Sequence, residues 1–289
     1  MNTLLYWLGR ALIAGIQMLP LNLVARLGRA GGAVAFWLDG RHRRVVLDNL
    51  TKCFGREKSA GEIEAIAREN FRRLGENYLS AVKTAVMTFA ELEPHLEFTG
   101  LQHLPQTIAD QVPTNAVVAI GHFGNFELYA KLGAAHPHGV FATTFRALKQ
   151  PALNRLLLEL RRRSPCQFFE RRADGKVLRA LLDKGGVTLG LLADQSSPGM
   201  RGPFLGRDCN TGLAPAVLAL RYHAELSTSI CYRIAPARWR LEFGPPIPTH
   251  ENGQARGAEA IMRDVNLALE AAVRRDPANW FWVHRRWKD

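Results

Sequence analysis

The sequence lacks the signatures of several common enzyme classes. No G-x-S-x-G elbow is present, so the serine nucleophile of an α/β-hydrolase is missing. Neither GxxxxGK[ST] nor a G-x-G-x-x-G turn after a strand occurs, which argues against an NTPase and a dinucleotide enzyme. The four cysteines are far apart and form no C-x-x-C pair, so neither a zinc site nor a disulfide framework is indicated. We therefore expect no metal and no organic cofactor.

The sequence also has few acidic residues relative to basic ones. Its net charge of +12 over 289 residues predicts a polyanionic partner, which could be nucleic acid, anionic lipid or an acidic carrier protein. The basic clusters lie beside apolar and tryptophan-rich runs, and no nucleic-acid reader motif is recognisable. We therefore expect a membrane surface and no nucleic acid.

The N-terminal stretch 3–25 is apolar apart from Arg10 and a few neutral polar residues. It nearly reaches the roughly 20 apolar residues that a spanning helix needs, but Pro20 interrupts it. The basic cluster at 41–44 is of the kind that prefers the anionic cytoplasmic leaflet. We expect a membrane-associated helical segment over residues 1–45, either spanning or interfacial; the alternative is a helix packed on the protein itself.

The rest of the chain, 46–289, alternates strand and helix patterns. Apolar runs predict strands and amphipathic stretches predict helices, and their βαβ alternation favours an α/β fold with a mostly parallel central sheet flanked by helices. The predicted strands are 96–98, 116–120, 139–145, 166–169, 187–193, 226–233 and 239–243. The predicted helices are 60–90, 153–163, 174–184, 211–223 and 262–273, the first with a capping box formed by Ser59 and Glu62.

The stretch 116–135 contains a candidate catalytic pair, His122 and Glu127. His122 follows a predicted buried strand, at the sheet edge where ligand crevices form, and a helix is predicted to begin after an N-cap at Asn125. The Glu127 carboxylate can accept one ring N–H of His122 and leave the other ring nitrogen free to take a proton. Taken alone, H-x4-E is more simply explained by a helix-start charge beside a structural histidine.

The longer run GHFGNFE, 121–127, resembles the H-x4-[DE] motif of the lysophospholipid acyltransferase superfamily. Its glutamate form is similar to that of the bacterial lipid A late acyltransferases, the lauroyl and myristoyl transferases. Later segments resemble the same family in order, so the resemblance covers nearly the whole chain: Phe145-Arg146, Asp194-Gln195 followed by PFLG at 203–206, and the tail NWFWVHRRW at 279–287. The family often has proline after the arginine, whereas this chain has Ala147.

The resemblance implies a glycerolphosphate-acyltransferase-like fold. Because no serine or cysteine nucleophile is evident, the His–Glu pair points to a direct transfer without a covalent intermediate. A fatty acyl chain would pass from an acyl carrier protein thioester to a hydroxyl of a tetra- or penta-acylated lipid A precursor, at the cytoplasmic face of the inner membrane. His122 would deprotonate that hydroxyl while Glu127 orients the imidazole. Backbone N–H groups near Gly124 and Asn125 are candidates for binding the oxyanion.

The remaining candidate site residues are polar groups at strand ends. Arg146 suits bidentate binding of a phosphate, and the resemblance implies that it contacts a phosphate of the acceptor. Asp194 and Gln195 are candidate substrate-binding residues; the carboxylate of Asp194 could position Arg146, bind an acceptor hydroxyl or merely cap a loop. The arginines at 161–163, with those at 171–172, predict either a solvated helix end or an anion-binding patch.

Several alternatives remain open from sequence. The loop 196–208 is expected to expose Phe204 and Leu205, and the tail tryptophans suit a headgroup boundary and a packed core equally. The protein could instead acylate a lysophospholipid or a glycolipid. It could also be a basic peripheral membrane protein without catalysis, although that reading leaves the His–Glu pair at a strand end unexplained.

Overall fold

The computed structural model describes residues 2–103, 114–134 and 139–287. Residues 104–113, between the predicted strands 96–98 and 116–120, and Ala135 at the end of the stretch 116–135 lie outside the described residues. The helices are α1 (Asn2–Met18), α2 (Leu21–Leu38), α3 (Gly40–Phe54), α4 (Ala60–Thr84), α5 (Phe89–Leu92), α6 (Pro151–Arg161), α7 (Gly175–Leu182), α8 (Ala214–Arg221) and α9 (Ala258–Arg275). Short 3-10 helices span Glu93–His95, Leu101–His103, Phe126–Ala134 and Pro277–Asn279.

A seven-stranded sheet forms the centre of the molecule. Its order is β1-β9-β8-β2-β5-β3-β4, in which β8 and β9 are antiparallel and the other neighbours run parallel. The strands are β1 (Leu96–Thr99), β2 (Ala116–Ile120), β3 (Val140–Phe145), β4 (Gln167–Glu170), β5 (Val187–Leu192), β6 (Ser196–Phe204), β7 (Arg207–Thr211), β8 (Glu225–Ala235), β9 (Arg238–Phe243), β10 (His250–Glu251) and β11 (Gln254–Ala255). The predicted α/β fold with a mostly parallel sheet flanked by helices is confirmed.

The two central strands set the geometry of the candidate site. Every residue of β2 is buried, and Ile120 of β2 pairs with Leu192 of β5 in parallel register. The N–H of Ala193 donates to the carbonyl oxygen of Ile120 at 2.9 Å, so the pairing continues to the ends of both strands. Side chains that follow these two strands therefore meet at the same edge of the sheet.

Helix α4 packs closely against α2. Ser59 and Glu62 form the predicted capping box at its start, with the Ser59 N–H donating to Glu62 at 2.8 Å. Glycine is required where the helices meet, because a Cβ added to Gly28 would lie 2.5 Å from the backbone oxygen of Gly75. The close fit shows that α2 packs on the body of the protein.

Helix α1 packs on α6. The Tyr6 hydroxyl donates to Glu159 at 2.9 Å, and the Arg155 guanidinium lies 4.3 Å from the centre of the Tyr6 ring. Many large apolar side chains of α1 and α2 are exposed: Leu4, Trp7, Leu8, Leu12, Met18, Leu23, Leu27, Val34, Trp37 and Leu38. Among the described residues, no helix combines the length and the apolar character that crossing a bilayer requires.

The predicted loop 196–208 is wrong, because these residues form the antiparallel hairpin β6–β7. Its turn residues, Leu205 and Gly206, have φ of 52° and 72°, which suits a two-residue hairpin turn. Phe204 and Leu205 are buried, 0% and 2% exposed, instead of exposed as predicted. Phe204 contacts the rings of Trp280 and Trp287, so the strand pair covers the tail. The abundant glycine and proline in this segment had indicated a loop.

The segment after His122 also differs from its prediction. Residues Phe126–Ala134 form a 3-10 helix rather than an α-helix. Asn125 precedes it, but its Oδ1 atom has no hydrogen-bond partner among the described residues, and its amide nitrogen donates to Thr84 Oγ1. Asn125 therefore faces α4 and does not cap the helix with its side chain, because the tight packing of this turn buries it to 2% exposure.

Candidate active site

The imidazole of His122 is held by the carboxylate of Asp194. His122 Nδ1 lies 2.7 Å from Asp194 Oδ1, and the His122 backbone N–H donates to Asp194 Oδ2 at 2.7 Å. The two residues lie next to each other because each follows its strand by two positions, after Ile120 and Leu192, which are paired. Since a carboxylate only accepts hydrogen bonds, Nδ1 carries the proton and Nε2 is the basic nitrogen.

Asp194 is fully buried and has a third donor. Trp280 Nε1–H donates to Asp194 Oδ2 at 2.7 Å. Burial by itself raises the pKa of Asp194, but the neighbouring His122 ring and its hydrogen bonds outweigh burial and hold that pKa well below its usual range. A fixed negative charge therefore faces the imidazole and stabilises its protonated form.

The sequence prediction that Glu127 orients His122 is wrong in this structure. Both Glu127 oxygens accept from Arg161 instead, at 2.6 Å from Nη2 and 3.3 Å from Nε. Arg161 also lies over the rings of Phe145 and Phe168, at 5.5 and 5.1 Å from the ring centres. Arg161 at the end of α6 is thus a partner of Glu127 rather than a solvated helix end, and the carboxylate that contacts the His122 ring is that of Asp194.

The predicted oxyanion-binding amides are already engaged. The Gly124 N–H donates to the Asn279 carbonyl oxygen at 3.1 Å, and the Asn125 N–H faces the Cys231 thiol. The turn is tight here, since Gly124 has φ of 51° and a Cβ would lie 2.5 Å from the Cys231 carbonyl oxygen. These amides point into the protein, so they are not free to bind a substrate oxygen.

Asp194 is likewise not available to a substrate, because its side chain is 0% exposed and committed to His122 and Trp280. The two other predicted substrate-binding residues remain accessible. Gln195 Nε2 lies 3.4 Å from His122 Nε2, where its amide can donate to the basic ring nitrogen. Arg146 is exposed past the end of β3, and no carboxylate in the described part of the chain forms an ion pair with it.

A cavity of about 1260 Å³ opens in front of His122. This exceeds the usual size of a site for a drug-sized ligand, which is about 300–1,000 Å³. Apolar side chains form most of its wall, and its polar region lies at the sheet edge where the parallel strands β2, β3, β4 and β5 end. The strand and 3-10 residues in the wall include Val118, Ile120, Tyr129, Leu132, Phe141, Thr188 and Gly190. The polar groups include His122, Glu127, Arg146, Arg161, Arg171, Arg172 and Gln195. Such a space suits a long apolar chain with a polar reacting group.

Sequence reasoning missed the partners that come from distant elements. Arg161 was assigned only to a basic cluster, and Trp280 and Arg286 only to the tail motif. The sequence did carry a signal for the His122–Asp194 pair: each residue follows a predicted buried strand, and neighbouring parallel strands place such residues together. Which strands are neighbours was not visible from the pattern.

Known proteins resemble this chain along its whole length. The family model for bacterial lipid A biosynthesis acyltransferases matches residues 1–289. A lipid A biosynthesis palmitoleoyltransferase from Escherichia coli (strain K12) is 26% identical over 298 residues, covering 98% of this chain and 91% of the relative. A lipid A biosynthesis acyltransferase from Haemophilus influenzae is 23% identical, covering 98% of this chain and 90% of the relative.

A shorter match concerns a third relative. The lipid A biosynthesis myristoyltransferase of Escherichia coli (strain K12) is 34% identical over 100 residues, which is 33% of this chain and 29% of the relative. The family match spans the whole chain, so the matched residues include His122 and Asp194. The chain therefore belongs to the bacterial lipid A biosynthesis acyltransferase family, and it is an acyltransferase.

Proposed function

We propose that the protein transfers a fatty acyl chain from an acyl carrier protein thioester to a hydroxyl group of a lipid A precursor. His122 acts as the general base, and no covalent acyl-enzyme forms. The observation that carries the proposal is the 2.7 Å contact between His122 Nδ1 and buried Asp194, which leaves Nε2 basic beside a cavity of about 1260 Å³.

The reaction needs one proton carrier. His122 Nε2 takes the proton of the acceptor hydroxyl as that oxygen attacks the thioester carbonyl carbon. The C–S bond of the tetrahedral intermediate then breaks, and the imidazolium returns the proton to the departing thiolate. Asp194 stabilises the imidazolium between these steps, because its carboxylate is charged and buried against the ring. A positioned general base supplies about 10²- to 10⁴-fold of the rate, so positioning of the two substrates supplies much of the rest.

Glu127 stays in the proposed site with a changed role. Its carboxylate fixes the Arg161 guanidinium in the cavity wall, where a cation can face the thioester or a phosphate. With the Gly124 and Asn125 amides engaged, the Gln195 side chain is the predicted site residue that can donate to the oxyanion, since its amide lies beside His122 Nε2.

The shape and charge of the cavity support two lipid substrates. Its apolar wall suits the acyl chain, and Arg146, Arg171 and Arg172 give its polar region a positive charge. An acidic carrier protein and a phosphorylated glycolipid would both be attracted to that region. Arg146 is the proposed phosphate contact, because it is exposed and has the donor geometry for bidentate binding.

The N-terminal helices support docking on the cytoplasmic leaflet of the inner membrane. Large apolar side chains are exposed along α1, among them Trp7 at 59% and Leu12 at 66%, and such a group of exposed apolar side chains suits contact with lipid. Helix α1 packs on α6, the helix whose last residue, Arg161, lies in the cavity wall. We propose that α1 lies in the plane of the membrane interface, so that the cavity opens near the lipid.

The proposal is tested with membranes or mixed micelles that contain a lipid A precursor, and with acyl carrier protein carrying a labelled acyl chain. The variant His122→Ala should lose at least about 100-fold in kcat. The matched control His250→Ala changes an exposed histidine on the separate hairpin β10–β11 and should keep its activity. Retained turnover in His122→Ala would exclude the base mechanism. Acylation of a lysophospholipid in place of the glycolipid would exclude a lipid A precursor as the acceptor. Equal use of acyl-coenzyme A would exclude a preference for acyl carrier protein as the donor.

A further inference from the structure

The tail 280–287 packs inside the protein. Trp280 and Trp282 are 0% exposed and Trp287 is 9% exposed, so these rings do not anchor the protein at lipid headgroups. Buried tryptophans usually direct the indole N–H to a specific acceptor. In the tail, the acceptor of Trp280 differs in kind from those of its neighbours.

The indole of Trp280 donates to a charged group, the carboxylate oxygen Oδ2 of Asp194, at 2.7 Å. Trp282 and Trp287 donate to neutral carbonyl oxygens, those of Pro277 at 2.7 Å and Phe204 at 3.2 Å. Hydrogen bonds to ionised acceptors are about twice as strong as neutral ones. Trp280 therefore contributes to the position and charge of the carboxylate that faces His122.

Arg286 holds the backbone of the same residue. Its guanidinium is 0% exposed and donates to the Asp194 carbonyl oxygen, and it also reaches Thr211 Oγ1 at 3.2 Å and Asn266 Oδ1 at 3.4 Å. Burial lowers the pKa of Arg286, although guanidinium groups remain charged at neutral pH. Arg286 thus links the backbone of Asp194 to Thr211 and Asn266, and these contacts restrict the movement of Asp194.

The tail also touches the turn that carries the base. Phe123 forms an antiparallel bridge with Trp280, and the Gly124 N–H donates to the Asn279 carbonyl oxygen. Residues 279–280 thus contact the His122 turn through the backbone and Asp194 through the indole. The turn that carries His122 and the side chain of Asp194 are therefore both in contact with the same short segment.

We propose that Trp280 is a positioning residue for the acyl transfer, acting on His122 through Asp194; the inference rests on the proposed function of His122. Its indole N–H and the His122 backbone N–H both bind Oδ2, which fixes the plane of the carboxylate and directs Oδ1 to His122 Nδ1. The same hydrogen bond draws charge from Asp194. Without it, the carboxylate binds the imidazolium more tightly, and His122 is protonated more readily.

The test compares Trp280→Phe with Trp282→Phe in the full-length enzyme. The two positions share the tail and the same complete burial, but only Trp280 contacts Asp194. We expect Trp280→Phe to lower kcat by about 10- to 100-fold, because a carboxylate that is no longer fixed holds the imidazole less accurately for proton transfer, with the KM of the acyl donor within about twofold. The acid limb of its kcat–pH profile should move to higher pH. Trp282→Phe should keep the parental pH profile.

A second replacement guards against misfolding of Trp280→Phe. Site-specific insertion of benzothienylalanine at position 280 keeps the ring shape and replaces the indole N–H with sulfur, so its kcat and pH profile should match those expected for phenylalanine. An unchanged profile in this folded variant, or an equal shift in Trp282→Phe, would overturn the inference. If His122→Ala is inactive and position 280 has no effect, only the positioning role fails; if His122→Ala is active, the proposed function fails.

Discussion

The replacement Asp194→Asn tests which carboxylate serves His122. It preserves the shape of a fully buried side chain and removes its charge. In the parent, Oδ2 accepts two hydrogen bonds, from the His122 N–H and Trp280 Nε1–H, whereas Oδ1 faces His122 Nδ1 alone. An asparagine must place its NH₂ group at one of these two positions.

The structure decides the orientation of that amide. An NH₂ at the Oδ2 position would face two donors and leave both without a partner, at about 1–3 kcal/mol each. The total of about 2–6 kcal/mol favours the opposite orientation by roughly 30-fold or more. The NH₂ then donates to His122 Nδ1, so the ring proton moves to Nε2, and the nitrogen beside the cavity can no longer accept a proton.

We therefore expect Asp194→Asn to fold and to lose about 10²- to 10⁴-fold in kcat, the share that a general base supplies. Steady-state transfer of a labelled acyl chain measures kcat, and ¹⁵N spectra of labelled histidine report the tautomer. Asp264→Asn is a matched control, since that carboxylate pairs with Arg256 near the surface. The reasoning is refuted if Asp194→Asn keeps kcat within about threefold, or if Glu127→Gln rather than Asp194→Asn changes the His122 tautomer.

Three further predictions concern the cavity and the buried tail. Gly190→Val should reduce kcat/KM for the longest accepted acyl chain by about 10-fold or more. A Cβ at this position has room, since it would lie 3.7 Å from Ile120 Cδ1, and it would project among cavity residues. Measuring kcat/KM over a series of acyl chain lengths tests this. Arg146→Ala should raise the KM of a phosphorylated acceptor about 10-fold and leave that of a dephosphorylated acceptor unchanged. Burial lowers the pKa of His284 to about 4, so its neutral form stabilises the fold above pH 6.5. This contribution to the free energy of unfolding, about 3 kcal/mol, is lost as the pH falls towards 4. The urea midpoint of His284→Gln should therefore depend less on pH in that interval than the midpoint of the parent.

The sheet was largely predictable from sequence because its strands are short and apolar. Periodicity located β2 to the residue and β3, β4 and β5 within one residue at either end. The hairpin β6–β7 was missed since its nine-residue first strand contains two prolines and two glycines, a composition typical of loops. The buried residues of this hairpin are covered by the C-terminal tail, and the local sequence pattern does not indicate that contact.

The candidate site was only half predictable. His122 was identified from its position after a predicted buried strand, which can be recognised from the neighbouring sequence alone. Its partner depends on which strands lie side by side, and β2 neighbours β5 and β8 rather than β3, the next strand in sequence. Glu127 is nearer in sequence than Asp194, but Arg161 from α6 binds both of its oxygens. Spacing along the chain could not show whether Glu127 or Asp194 contacts the His122 ring.

Helix α4 has a consequence for how the enzyme faces its substrates. One side of it meets α2 through the glycine contact of Gly28 and Gly75, and Asn70 on the same helix donates to the carbonyl oxygens of Ala278 and Trp280. Helix α4 thus connects α2, which carries exposed apolar side chains, to the tail segment that contacts the His122 turn. With α1 in the membrane interface as proposed, this connection would set the orientation of the His122 ring relative to the bilayer when the protein folds, before a lipid binds.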